Sequence, residues 1–325
     1  MIFATIHNSR RDGCLVLVHP NHTRALELGR LAPTLQLALE NWEEIESELQ
    51  TRYDLFKKNS QIEGSFELSF NKFMAPLPRS YQFLDASAYL HHVKLARQAR
   101  GVEFPSLLIS SPLMYQGLSH EFDAWNAPVS NEFIDMGLDF EAEMAVITDD
   151  VPKGVSTEES LKHVKLITLL NDWSLRKVIA SELQKSFGFL QGKPVCSCAP
   201  FALTPDELGD HWSEGKVKLP LITTLNDEIF GKPNAGIGMH FDFSQLIEYA
   251  AKTRGLCAGT LLGSGTVSNS ELDSGSSCIV EKRMLQKMNH ETMIDFLQIE
   301  DRVQIEMYDL NGVSLFGSID QVVSS

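Results

Sequence analysis

The chain has 325 residues, 43% of them apolar, and a formal charge of −15 from 28 basic and 43 acidic side chains. Such an acid excess argues against general affinity for nucleic acid or an anionic membrane. No stretch approaches the ~20 consecutive apolar residues of a membrane span, and the start, MIFATIHNSRRDG, lacks the apolar segment of a secretory signal, so a cytoplasmic protein is expected.

Residues 1–75 read as a small unit of their own. Ile2–Ile6 and Cys14–Val18 are short β-like runs across the polar turn Asn8–Gly13, a hairpin pattern. Pro33 opens a helix from about Thr34 to Lys57, with Leu35, Leu39, Trp42, Ile45, Leu49 and Tyr53 at helical spacing. Pro76 and Pro78 close the unit and leave 76–325 as the main domain. Next, Asp85 reads as a helix cap, a turn residue or a metal ligand. His91 and His92 would lie about 100° apart on a helix, so at most one faces a site. Arg97 and Arg100 are either surface charges or partners for a substrate carboxylate. Ser111–Gly117 reads as a loop in which Tyr115 is the candidate ligand contact.

Leu138–Ile147, LDFEAEMAVI, alternates like a strand, with Phe140, Ala142, Met144 and Val146 on one face and Glu141 and Glu143 on the other. Two carboxylates on one face of a core strand raise each other's pKa unless a cation lies between them. Asp172, in the polar break of LLNDWSLR, could supply a third oxygen, so Glu141, Glu143 and Asp172 read as a cradle for a divalent metal. The pattern also fits an edge strand with its glutamates in water and Asp172 capping the following helix.

Trp173–Phe187 is helical in pattern, and Phe243–Arg254 reads as an amphipathic helix. Five cysteines with no CxxC pair make neither a disulfide framework nor a zinc pattern, and Cys196 and Cys198 read as small packing groups. LCAGTLLGSGT, Leu256–Thr266, is a glycine-rich strand-loop that lets backbone approach a ligand. Cys278–Glu281 is read as leading into a further strand, and Val303–Met307 with Ser314–Ile319 as a hairpin around Leu310-Asn311-Gly312. Many short strands and few helices predict a β-rich α+β fold. A carboxylate-only donor set suits a hard cation, Mg²⁺ first, with Mn²⁺ or Ca²⁺ as alternatives. Such an ion can polarise a keto acid, and a histidine paired with a carboxylate can activate water beside it.

At these motifs the chain resembles the fumarylacetoacetate hydrolase family. The resemblance rests on FEAEMAVI with LLNDWSLR downstream, on GSGT followed by GSSCIVE, and on the spacing of Asp85 and His92. It covers residues 76–325; the first 75 are similar to the small N-terminal domain of one bacterial branch. It implies a mixed β-sandwich roll behind a small N-terminal α/β domain, assembled as a homodimer. It implies a metal held by Glu141, Glu143 and Asp172, with Asp85 as fourth ligand. His92 would be the general base and Glu281 the acid that orients it. The site lysine matches Lys193 better than Lys185. Tyr115, Arg176 and Thr266 match substrate-lining positions, with Arg97 as a further candidate. Ile179 and Ser87 stand where the fumarylacetoacetase branch has a glutamine and a tyrosine, both at positions that meet the substrate. The implied activity is metal-dependent hydrolysis of a C–C bond in a 1,3-diketo acid, fumarylacetoacetate or a related acylpyruvate, in aromatic-compound or tyrosine catabolism. The same site could decarboxylate, isomerise or dehydrate a 2-keto acid. A small-acid binding protein without catalysis is the rival of another class.

Overall fold

The structure is a computed structural model that describes residues 1–324. The chain begins with β1 (Ile2–Ile6), β2 (Cys14–Val18) and β3 (Arg24–Glu27), continues as α1 (Leu35–Glu40) and α2 (Trp42–Lys58), and returns as β4 (Ser65–Glu67). Then come β5 (Gln82–Ala86), α3 (Leu90–Ala99), β6 (Met114–Gln116), β7 (Val129–Ser130), β8 (Leu138–Asp139) and β9 (Ala142–Thr148). After α4 (Thr157–Ser160) follow β10 (Val164–Asp172), β11 (Ser174–Leu175), α5 (Arg176–Lys185), β12 (Cys196–Cys198) and β13 (Ala202–Leu203). β14 (Trp212–Ser213), β15 (Lys216–Val217), β16 (Leu221–Leu225) and β17 (Glu228–Gly231) precede α6 (Phe243–Ala250). β18 (Thr260–Gly263), α7 (Ile279–Met288), β19 (Arg302–Met307) and β20 (Ile319–Ser324) complete the chain.

Two sheets carry the core. The larger runs β4-β3-β2-β1-β13-β10-β9-β18-β5-β6, with β12 also paired to β10; the smaller runs β17-β16-β19-β20-β7. β16 packs on β9 and β19 on β10, which makes the mixed sandwich. β9 is buried along its whole length because β10 and β18 flank it and the second sheet covers it. The edge-strand alternative for LDFEAEMAVI is therefore excluded. Among the described residues no helix is long and apolar enough to cross a membrane.

Several local expectations need correction. The helix expected over Thr34–Lys57 is two helices, α1 and α2, broken at Asn41, whose side chain donates to Leu37 O at 2.8 Å and so competes with the helix backbone. Asp85 is neither a cap nor a turn residue: it is the fourth residue of β5. Met114–Gln116 is a short edge strand rather than part of a loop. Trp173–Phe187 is not helical throughout; α5 begins at Arg176 after the two-residue β11. Glu281 lies in the first turn of α7, not near a strand. The Asn311-Gly312 turn exists, with the Asp309 carboxylate accepting from the Asn311 and Val313 N–H groups, but the strand that returns to β19 is Ile319–Ser324.

The first 75 residues are continuous with the main sheet. β1 joins β13 through Ile2↔Leu203 and Phe3↔Ala202, while α2 lays Leu49, Tyr53 and Phe56 into the core and Trp42 edge-on to Phe3. Leu49 is fully buried. Leu49→Ala is expected to lower the free energy of unfolding by about 2–5 kcal/mol, read as a shift of the urea midpoint at unchanged slope.

Candidate metal centre

Three strands of the large sheet, β10, β9 and β5, bring carboxylates to one end of the sheet, with β18 lying between β9 and β5. β10 ends on Asp172, and β9, antiparallel to it, starts beside Glu141 and carries Glu143 opposite Leu170. β18 runs parallel to β5 and sets Gly263 opposite Asp85. The result is that one carboxylate oxygen from each of Asp85, Glu143 and Asp172 lies within 4.8 Å of the others, all three residues buried. Gly263 leaves the room for this convergence: a Cβ there would lie 2.6 Å from Asp85 Oδ1 and 2.9 Å from Glu143 Oε2.

The three acids are incompletely satisfied by protein. Glu143 Oε2 accepts from the Gly265 N–H at 3.0 Å, whereas Glu143 Oε1 and Asp85 Oδ1 are buried without a partner. Burial and then the Asp172 charge push the Asp85 carboxyl up to about 8. Burial, reinforced by Asp85 and Asp172, pushes Glu143 well above the carboxylate range. Orphaned oxygens and carboxyls driven toward neutrality are what a divalent cation would relieve, and an all-oxygen set fits Mg²⁺, Mn²⁺ or Ca²⁺. These residues fit a metal.

Glu141 is placed differently. Its Oε2 accepts from Lys193 Nζ at 2.5 Å and its Oε1 lies 2.8 Å from Arg176 Nη2. Burial would raise this carboxyl, but Arg176 and Lys193 override it and hold it well below the usual range. Lys193 also bonds Asp172 and the Ser174 hydroxyl, and the surrounding carboxylates keep it charged despite burial. Lys185 is exposed at the end of α5 and takes no part. Tyr115, opposite Asp85 on β6, donates its hydroxyl to Asp172 Oδ2 at 2.8 Å.

Beside the acids stands His92 on α3. Its Nδ1 is 3.1 Å from Glu281 Oε2 and its Nε2 is 3.9 Å from Glu141 Oε1. A cavity of about 310 Å³ opens here, walled by His92, Glu141, Tyr115, Arg176, Lys193 and Thr266 on its polar side. Val93, Ile179, Leu183 and Phe189 form an apolar side, and Ser87, Arg97 and Arg100 also reach it. Arg97 Nε already donates to Glu103 O at 2.5 Å. Asp85, His92, Arg97, Tyr115, Glu141, Arg176, Lys193 and Thr266 thus line this cavity, with Glu281 behind His92, whereas Lys185 lies away from it.

Three supporting residues escaped the sequence reading. Asp139 accepts from the Ile279 and Val280 N–H groups at the start of α7 and from Arg176 Nε at 2.7 Å. Its signal was legible as the first member of the alternating acids Asp139, Glu141 and Glu143. Ser268 donates to Glu281 Oε1 at 3.0 Å. Cys196, read as packing alone, also sets its thiol 2.8 Å from Asp172 Oδ1; burial and the Asp172 charge keep that thiol protonated, so it donates. Neither Ser268 nor Cys196 had a local signal.

Comparison with known proteins places the chain among recognised families and folds. The family model described as fumarylacetoacetate (FAA) hydrolase C-terminal matches residues 82–324, and that described as fumarylacetoacetase N-terminal domain 2 matches residues 1–79. The chain is 27% identical over 218 residues to the oxaloacetate tautomerase YisK of Bacillus subtilis, covering 65% of this chain and 67% of that protein. It is 30% identical over 131 residues to a 2,4-didehydro-3-deoxy-L-rhamnonate hydrolase of Sphingomonas sp., covering 39% of this chain and 43% of that one. Among solved structures, a fumarylacetoacetate hydrolase from Exiguobacterium antarcticum superposes with TM-score 0.68 at 15% identity, over 100% of this chain and 99% of that one. A maleylpyruvate hydrolase from Sphingobium sp. SYK-6, in complex with manganese(II) and pyruvate, superposes with TM-score 0.63 at 14% identity over the full length of both chains.

Two outcomes follow for metal uptake. Gly263→Ala is expected to weaken Mn²⁺ or Mg²⁺ binding about tenfold or more with unchanged circular dichroism; undiminished binding by calorimetry would separate this glycine from the site. Asp85 has its folded pKa raised from 3.8 to about 8, so its contribution to stability is fully present below the unfolded value and is lost as pH rises through the folded one. Thermal unfolding of the metal-free protein should therefore fall between about pH 5 and about pH 8, and Mn²⁺ should raise it more at the upper end.

Proposed function

The chain belongs to the fumarylacetoacetate hydrolase family, and we propose that it is a divalent-metal-dependent enzyme that hydrolyses a C–C bond of a 1,3-diketo acid, an acylpyruvate or fumarylacetoacetate. The observation that carries this reading is the His92–Glu281 pair set beside the buried cluster of Asp85, Glu143 and Asp172, with His92 and Asp85 both lining one cavity. Asp85, Glu143 and Asp172 would hold the ion, with Glu141 turned toward Lys193 and Arg176. When bound, the ion supplies Lewis-acid polarisation of the substrate's keto oxygens.

The remaining work falls to the chain itself. Glu281 fixes the proton of His92 on Nδ1, which leaves Nε2 as the proton acceptor facing the cavity. His92 takes a proton from water as that water attacks a carbonyl carbon, and returns it to the carbon fragment that leaves. Lys193 and Arg176 keep Glu141 ionised and fixed, and Tyr115 restrains Asp172 from the opposite side. Val93, Ile179, Leu183 and Phe189 shield one side of the cavity from water.

Similarity to an oxaloacetate tautomerase favours a second reading, in which His92 moves a proton between carbon and solvent and no bond between carbons breaks. A panel of acylpyruvates, fumarylacetoacetate and oxaloacetate tested with the metal-loaded protein separates the two: chain cleavage supports the first, and enol–keto exchange without cleavage the second. In either case His92→Ala is expected to lower turnover ~10²–10⁴-fold with metal binding and thermal stability retained. Undiminished turnover in that variant removes His92 from the reaction.

A further inference from the structure

Behind His92 and Glu281 the hydrogen bonding continues, away from the cavity. Ser268 is buried and lies two residues past Thr266. Its hydroxyl donates to Glu281 Oε1 at 3.0 Å, and His91 Nδ1 lies 2.8 Å from Ser268 Oγ. A serine hydroxyl carries one proton, and a carboxylate takes it; His91 must then be the donor to Ser268 Oγ. The three bonds run His91 to Ser268, Ser268 to Glu281, and His92 to Glu281, and each is donated toward the carboxylate. The adjacent histidines of α3 thus serve opposite faces: His92 lines the cavity, and His91 reaches the serine that backs the dyad.

We propose that Ser268 and His91 are positioning residues for the general base. They hold Glu281 in the rotamer that accepts from His92 Nδ1, and so commit His92 to the tautomer whose Nε2 is free to take a proton. The need for such a hold is visible at Cys278, whose Sγ is 3.9 Å from the same His92 Nδ1. A thiol is a weak donor. If Glu281 turns away, Cys278 is left beside Nδ1, where it favours the opposite tautomer, with the proton on Nε2 and no base facing the cavity. Asp139 fixes the start of α7 through Ile279 and Val280 but does not touch the Glu281 side chain, so the rotamer depends on Ser268. This inference rests on His92 being the base.

The test reads the tautomer of His92 directly, by nitrogen-15 NMR of the imidazoles in the full-length protein, with the His92 signals assigned by their loss in His92→Gln. In Ser268→Ala the Nδ1–H form of His92 should give way to a mixture, and turnover should fall about tenfold at nearly constant KM. Ser268→Thr, which keeps the hydroxyl, should restore both. His91→Leu should shift the tautomer in the same direction, and His91→Asn, whose amide nitrogen occupies the place of Nδ1, should not; this pair decides the matter if Ser268→Ala fails to fold. An unchanged His92 tautomer in both Ser268→Ala and His91→Leu overturns the proposal. Absence of turnover on the whole keto-acid panel would instead count against the proposed function, while the spectra still report on the positioning.

Discussion

Mutual repulsion among buried carboxylates is the constraint on which the rest of this structure depends. Asp85, Glu143 and Asp172 are delivered to one point by strands that are themselves core elements, so the sheet cannot relax to separate them. Isolated ionised carboxylates in such surroundings are strongly disfavoured. The protein answers on one flank with Lys193 and Arg176, which neutralise Glu141, and with polar donors from Tyr115 and Cys196 to Asp172. On the other flank Asp85 and Glu143 keep oxygens without a protein partner. This asymmetry leaves room for positive charge at one defined place.

Asp139 links that charge balance to the geometry of the base. One carboxylate receives Arg176, which faces Glu141, and the first two N–H groups of α7, the helix that carries Glu281. A negative group at a helix N-terminus is favourable in itself, and here it also couples the orientation of the Glu281 helix to the cation beside the acids. The cluster and the dyad are therefore parts of one arrangement.

Much of this was legible in the chain because it is local. The period-two alternation of Phe140, Ala142, Met144 and Val146 marks a strand, and β9 supplies it from Ala142 onward, while Phe140 and Glu141 form a break between β8 and β9. The glycine-rich run around Gly263 and Gly265 announced a close backbone approach, which the contacts to Asp85 and Glu143 explain. What was misread depends on distant partners. Ile279 and Val280 are β-branched and read as strand, but their N–H groups are capped by Asp139 from a segment 140 residues earlier, and a helix results. Lys193 meets Glu141 across 52 residues, so the division of the acids into a neutralised one and an unsatisfied set has no sequence signature. Cys196 reaches Asp172 only through the register of β12 on β10.

The seam between β1 and β13 carries a consequence of its own. Because Ile2 and Phe3 ladder onto Leu203 and Ala202, the N-terminal strands extend the very sheet that holds the acids. A proteolytic nick that released the first 75 residues would strip that ladder and leave an unpaired backbone row beside β10. Bare edges of this kind recruit foreign strands. The two parts of the chain are thereby bound to a common lifetime: loss of one converts the other from a folded protein into a seed for aggregation.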